Sequence, residues 1–319
     1  MALLRQPATA ELAGRPLDAD VLAQLRHLQP KLHQGAATDM QGLYPEGFVF
    51  LNALYGLAWS EVAAAVPATD ALHRQALAES RWAGAQVASG QGRAIFDADL
   101  PLPYGAFYNG WLAYPLGRQL LAETPAERRP ADEARFRQTC ARIADALPDT
   151  ASPFPESYFG AAWPADAAVC VAALAVHNRL YPPRYQPVIR GWLRRVQTRL
   201  DTLGLIPHEV EPRTGRVRQG ARGASQSLML ALLHDIDPAF GRQQYGLYRR
   251  YFVASRLGLP GIREYPQGQF GLGDVDSGPV LWGIGGAAHG PALRRPGAGR
   301  GAAQLAQRLR HGLHQRWAA

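Results

Sequence analysis

Cysteine is nearly absent: Cys140 and Cys170 are the only two in 319 residues, which excludes a disulfide framework. Each falls in an apolar helical pattern, where a buried free thiol is the ordinary reading. Lysine is scarcer still, since Lys31 is alone among 34 basic residues. The rest are arginine, a skew that fits a GC-rich coding sequence better than selection for phosphate contacts. The arginines are scattered, and the densest group (Arg190, Arg194, Arg195, Arg199) has the helical spacing of a solvated face. The formal charge of +8 is therefore no sign of nucleic-acid binding, and none is expected. There is no CxxC and no HExxH, and the nine histidines are dispersed, so no metal site is expected. Walker loop, dinucleotide fingerprint and Ser-His-Asp order are missing too, which disfavours their reactions. The opening MALLRQPATAEL lacks the apolar core of a signal peptide. The longest apolar run, 48–59, is broken by Asn52 and is too short to span a bilayer. A cytoplasmic protein without a membrane span is expected.

What is abundant is apolar residue, glycine and proline: 47%, 33 and 25. That composition supports a substantial core. One stretch organises the rest, Ser152 to Asp166 (SPFPESYFGAAWPAD), which packs three prolines, four aromatics and two carboxylates into a loop before a strongly apolar segment. Pro153, Pro155 and Pro164 forbid a regular helix or central strand. Glu156 and Asp166 are thus held on stiff, irregular backbone. A second loop, Gly271 to Gly278 (GLGDVDSG), offers Asp274 and Asp276 among glycines, again before an apolar segment. Carboxylates framed by aromatics at helix starts suit acid/base chemistry. The plainer readings are a helix N-cap for Asp166 and a self-satisfied glycine turn for Asp274 and Asp276.

Periodicity predicts helices near 19–32, 46–66, 70–89, 105–123, 131–147, 166–181, 185–200, 224–234 and 238–255, with 35–42 as a link. A fifth apolar helix is expected at 279–288 and an amphipathic one at 302–317. Between Leu205 and Gln219 alternation around Arg-Thr-Gly reads as a short β-hairpin. Apolar helices preceded by loops alternate with charged ones, as in a double ring of helices. The expected fold is all-α, an (α/α) toroid with a hairpin insertion. It forms a single domain over 1–319, with 290–319 as a divergent or flexible end. In such a ring the loops carrying Glu46, Tyr104, Glu156, Asp166, Asp274 and Asp276 converge on one pole.

The segments PESYFGAAWPAD, AVHNRLYPPRYQPVIRGWLRRVQTRLD and LLHDIDPAFGRQQYGLYRRYF resemble the linalool dehydratase/isomerase-like family. Weaker similarity runs back through LPYGAFYNGWLAYPLG and PEGFVFLNALYGLAW. The resemblance implies an (α/α) toroid with a central cavity and cofactor-free lyase or isomerase chemistry on an allylic terpene alcohol. The family's catalytic residues do not carry over: its two cysteines fall at Asp166 and near Phe154, its histidine near Phe107 and its tyrosine near Ala224. The site is expected instead to use Asp166, Asp276, Asp274 and Glu156 as acid/base groups. Glu46, Tyr44, Tyr104, Tyr108, Trp163, Arg222 and Gln226 are expected to contact a terpenoid alcohol or a sugar. Paired carboxylates would also suit a glycosidase-like enzyme, and loss of the family residues would suit a non-catalytic binding scaffold. No cofactor is expected; self-association is left open.

Overall fold

The structure, a computed structural model, describes residues 9–12, 15–147, 151–256, 259–274 and 276–287. A β-hairpin of β1 (Thr9–Leu12) and β2 (Arg15–Asp18) leads into α1 (Ala19–His33), α2 (Ala36–Leu43), α3 (Gly47–Ala65) and α4 (Ala71–Val87). The short α5 (Gly90–Arg93) precedes α6 (Gly105–Ala122), α7 (Pro130–Ala146), α8 (Pro164–Leu180) and α9 (Gln186–Gln197). The hairpin β3 (Glu209–Val210) and β4 (Val217–Gln219) separates these from α10 (Gly223–Ile236) and α11 (Pro238–Phe252). Two further hairpins follow, β5 (Val253–Arg256) with β6 (Leu259–Ile262), and β7 (Val280–Leu281) with β8 (Ile284–Gly285). With 60% of residues in helix and only two-stranded sheets among the described residues, the protein is of the all-α class.

The chain forms two compact units. Unit 1 holds the described residues up to Ile95 together with Pro115–Ala134; unit 2 holds Phe96–Tyr114 and those from Arg135 onward. The expectation of one domain over 1–319 stands beside that division as an expectation.

In unit 1, α3 packs against α4 and α2. It is the one helix among the described residues long and apolar enough to cross a membrane, and most of it is buried within the protein. Two of its polar members reach across to α4: Ser60 Oγ lies 2.8 Å from Ser80 Oγ, and the Tyr55 hydroxyl donates to Glu79 at 2.8 Å. Glu79 also accepts from Gln29 at 2.6 Å and faces His33 Nε2 at 3.0 Å. A carboxylate buried at a helix interface is tolerated because donors surround it.

In unit 2, α8 is buried from Pro164 through His177 and packs against α10 and α9. A helix made mostly of alanine and valine must be covered on every side, and from Pro164 to His177 this one is. By contrast, α9 buries only Ile189, Trp192, Leu193 and Val196, the i, i+3, i+4, i+7 stripe, and exposes Arg190 and Arg194. Both cysteines are free and buried. The Cys170 thiol donates to Ala106 O at 3.2 Å, and burial pushes both thiols up, so neither is a ready nucleophile.

Three expectations are corrected. The link at 35–42 is largely helical, as α2. The 238–255 helix ends at Phe252 and turns into β5. The apolar helix expected at 279–288 is the β7–β8 hairpin. Gly278, Trp282 and Gly283 all have positive φ there, which a helix cannot accept. The Arg263–Ile284 bridge and Glu264 N–H donating to Gly283 O at 3.0 Å fix the hairpin against the preceding strand. The loop carrying Asp274 and Asp276 therefore leads into a hairpin and not into an inner helix. Residues 290–319 and the expected 302–317 helix lie outside the described residues.

Gly105 makes the tightest approach that matters. It has φ 75°, and a Cβ there would lie 2.1 Å from Ser157 O, whereas Gly160 at φ 70° faces open space. Gly105→Ala should cost roughly 2–4 kcal/mol and Gly160→Ala about 1 kcal/mol, read from urea unfolding. Equal costs would refute the close approach.

Candidate functional site

The site is built in unit 2, where the 152–163 loop meets the start of α6. Ala106 N–H donates to Glu156 O at 2.8 Å, and Gly105 leaves room for the Ser157 carbonyl. Tyr104 precedes it with φ 69°, a left-handed residue that no glycine excuses. Asn109 holds this turn, its amide donating to Pro103 O at 2.7 Å and Gly105 O at 2.9 Å. The proline-rich loop is also pinned from below, by Trp192 Nε1 donating to Pro153 O at 2.9 Å. Stiff backbone on both sides fixes what the loop presents.

It presents Ser157 to Asp166. The Ser157 hydroxyl donates to Asp166 Oδ2 at 2.6 Å, and Asp166 is 7% exposed. The N-cap of α8 is Trp163, not Asp166, so the capping reading fails for this residue. Asp166 lies one turn in, where the unpaired amides of the helix end favour negative charge. Rings crowd the loop nearby: Tyr158 lies edge-on to Trp163 at 5.5 Å and 6.2 Å from Phe107, and Tyr104 meets Tyr108 at 5.7 Å. Glu156 is committed locally, accepting from Gly160 N–H at 2.8 Å.

A second group forms where α10 begins. Arg222, 1% exposed, is gripped on two sides. Its Nε donates to Glu264 at 2.8 Å, and both terminal nitrogens donate to the two oxygens of Asp274, Nη2 at 2.8 Å. Glu264 is fully buried; it also takes Ala224 N–H at 3.3 Å, while its carbonyl takes Gly223 N–H at 2.8 Å. Burial pushes Glu264 upward, and the guanidinium pulls against it. Burial likewise works against the Arg222 cation, but the two carboxylates outweigh it and hold the group above its ordinary value. The Arg222 fork brings Asp274 down to about 2. Asp274 also takes the amides of Asp276 and Ser277, both at 3.1 Å. An anion so held is a poor acid and a weak base. Its place is to order the glycine loop and so to set Asp276.

His208 sits among these groups, its Nδ1 3.2 Å from Ser225 Oγ and its Nε2 3.4 Å from Arg222 Nη1 and 3.8 Å from Asp276 Oδ2. Serine, histidine and aspartate in a line invite a nucleophile reading, and the proton positions oppose it. Arg222 can only donate, so Nε2 is the acceptor and Nδ1 carries the proton. Nδ1–H then donates to Ser225, whose hydroxyl donates on to Arg222 O at 3.1 Å. No lone pair is aimed at the serine proton. Burial, then the neighbouring Arg222 cation, lowers His208 to about 4, which makes it a feeble base.

The two groups are joined through backbone: Val210 N–H donates to Ala162 O at 3.1 Å. The loop that positions Asp166 is thereby tied to the strand that follows His208. Of the expected contact residues, Tyr104, Tyr108 and Trp163 belong to the ring group and Arg222 to the ion cluster. Gln226 is buried with its amide donating to Ile206 O at 2.6 Å, a structural duty. Tyr44 and Glu46 lie in unit 1, half-buried between α2 and α3. Sequence reasoning did not find Ser157 or Glu264. Serine in a loop carries no pattern of its own, and Glu264 stands 42 residues from the arginine it holds. Among the described residues no group of histidine, cysteine and carboxylates is arranged to hold a metal ion. No family model matches the chain, and no curated protein matches it.

A histidine held neutral in the fold stabilises it fully above pH 6.5. That contribution is lost as pH falls toward about 4, amounting to about 3 kcal/mol. His177, also lowered to about 4 by burial, adds to the same limb. His208→Gln should flatten stability between pH 6.5 and 4 without abolishing the slope; an unchanged slope would refute the placement of His208.

Proposed function

We propose that the protein is a cofactor-free acid/base enzyme acting on a hydroxylated small molecule, in a linalool dehydratase/isomerase-like (α/α) toroid. The resemblance and the alternation of buried with amphipathic helices support the toroid. The observation that carries the chemistry is Asp166: a buried carboxyl beside aromatic rings, steered by one short hydrogen bond from Ser157. In its protonated state it would give its proton to a leaving hydroxyl as the C–O bond breaks, releasing water. A carboxylate would take the proton from the neighbouring carbon as the double bond forms. Asp276, half-exposed on the ordered glycine loop, is assigned that second role. Asp274 is the clamp that places it. Aromatic faces such as Tyr104 and Trp163 would bind the hydrocarbon part of a terpenol.

Those same half-buried rings favour one alternative, a sugar stacked on them and cleaved by paired carboxylates. Turnover by wild type, Asp166→Asn and Asp276→Asn against terpenols and oligosaccharides separates the two. Either aspartate's loss should lower kcat about 100-fold or more with the melting temperature held to within a few degrees. Turnover unchanged in Asp166→Asn would defeat the proposal on either substrate.

A further inference from the structure

A polar cluster lies at the other end of α8 from Asp166, about 16 Å along the helix at 1.5 Å per residue. Its centre is His177, 4% exposed, whose Nδ1 is buried without a hydrogen-bond partner. Rings enclose the imidazole: Tyr185 at 4.7 Å, Tyr181 at 4.9 Å and Phe136 at 6.0 Å. A guanidinium sits over each tyrosine, Arg137 4.3 Å from the Tyr181 ring and Arg184 5.2 Å from that of Tyr185. Both arginines are exposed, while Tyr185 beneath Arg184 is buried. The connection from α8 to α9 keeps the arrangement in place. Pro182 and Pro183 stiffen it, Tyr181 N–H donates to His177 O at 2.9 Å, and Tyr185 N–H donates to Asn178 Oδ1 at 3.0 Å.

A buried imidazole with an unused nitrogen calls for an explanation, and here the surroundings are electropositive. Burial first, then Arg184 and Arg137, hold His177 at about 4. Asp145 is felt at Tyr185, together with Arg184 and the buried Cys140. At His177 no described carboxylate opposes the two cations. We propose that His177, Arg184 and Arg137 form a binding site for a small oxyanion, separate from the Asp166 site. The shared chemistry is that of a carboxylate or of a tetrahedral anion such as sulfate or phosphate. Guanidiniums laid on aromatic faces suit such ligands, and being held there they lose less freedom on binding. The neutral imidazole has one N–H to give as well. The coupling is reciprocal: an anion here favours the imidazolium, and a proton on His177 tightens the anion. Binding at this site needs no turnover, so it is independent of the function proposed above.

Ring 1H–15N correlations of the full chain labelled with 15N-histidine test it, at about pH 6, where carboxylates are ionised. Sodium sulfate or sodium acetate should move the His177 signals to saturation. Sodium chloride at equal ionic strength should not, and the buried His208 should stay unmoved in all three. Saturation by acetate alone marks a carboxylate site, by sulfate alone a tetrahedral-anion site, and by both a site that reads charge; each supports the proposal. In the saturating salt the His177 pKa should rise by about one unit. Arg184→Gln should weaken binding about tenfold with an unchanged melting temperature, because that side chain is exposed. Shifts linear in salt and alike for chloride and the oxyanions mean screening alone and overturn the proposal. So does equal binding by Arg184→Gln, or a His177 that answers neither oxyanion.

Discussion

A single guanidinium holds the second half of unit 2 together. Arg222 is buried where a lone cation would be untenable, and it is tolerable because Glu264 and Asp274 take its donors on two sides. Three segments meet there: the start of α10, the turn after β6 some 40 residues on, and the glycine loop ten residues later. Much else follows from that charge. It adds to burial in keeping His208 neutral, fixes the histidine's tautomer, keeps Asp274 ionised and, through Asp274, orders the amides of Asp276 and Ser277. Removing one carboxylate would leave an uncompensated buried charge, a loss of roughly 3–5 kcal/mol in comparable settings.

The Asp166 side is arranged on different terms. A serine hydroxyl and a helix end define its geometry, with rings crowding the loop nearby. Rigidity comes from proline in the loop and from the Gly105 close approach. The outcome is a division of labour between carboxylates that look equivalent on paper. Asp274 is bound up in an ion pair, Glu156 in a local turn, and Asp166 in a short hydrogen bond from Ser157. Environment, not residue type, separates their roles.

Much of the helical framework was legible. Buried α8 and striped α9 announce themselves through composition and period, because burial on every side and burial on one side demand different sequences. The β3–β4 hairpin was visible through its alternation and Arg-Thr-Gly turn. The β7–β8 hairpin was not. GPVLWGIGG is short and apolar, and nothing local distinguishes a buried helix from a strand paired to a distant neighbour; the backbone of Arg263 and Glu264 decides it. The Asp166 and Asp274 loops were found because carboxylates among prolines and glycines stand out. Their separate surroundings were hidden, since Arg222 on Asp274 and Ser157 on Asp166 are partners set by tertiary contact. Glu264 was invisible for the same reason.

The most direct test of this account is a double-mutant cycle between Arg222→Met and Asp274→Asn, with urea unfolding free energies measured for wild type, both single variants and the double. If the clamp orders the loop, the losses must be non-additive by about 1–3 kcal/mol, the double variant being less damaged than the sum. Losses that add to within about 0.5 kcal/mol would mean that the two residues act independently, and that Arg222 does not hold the glycine loop in place.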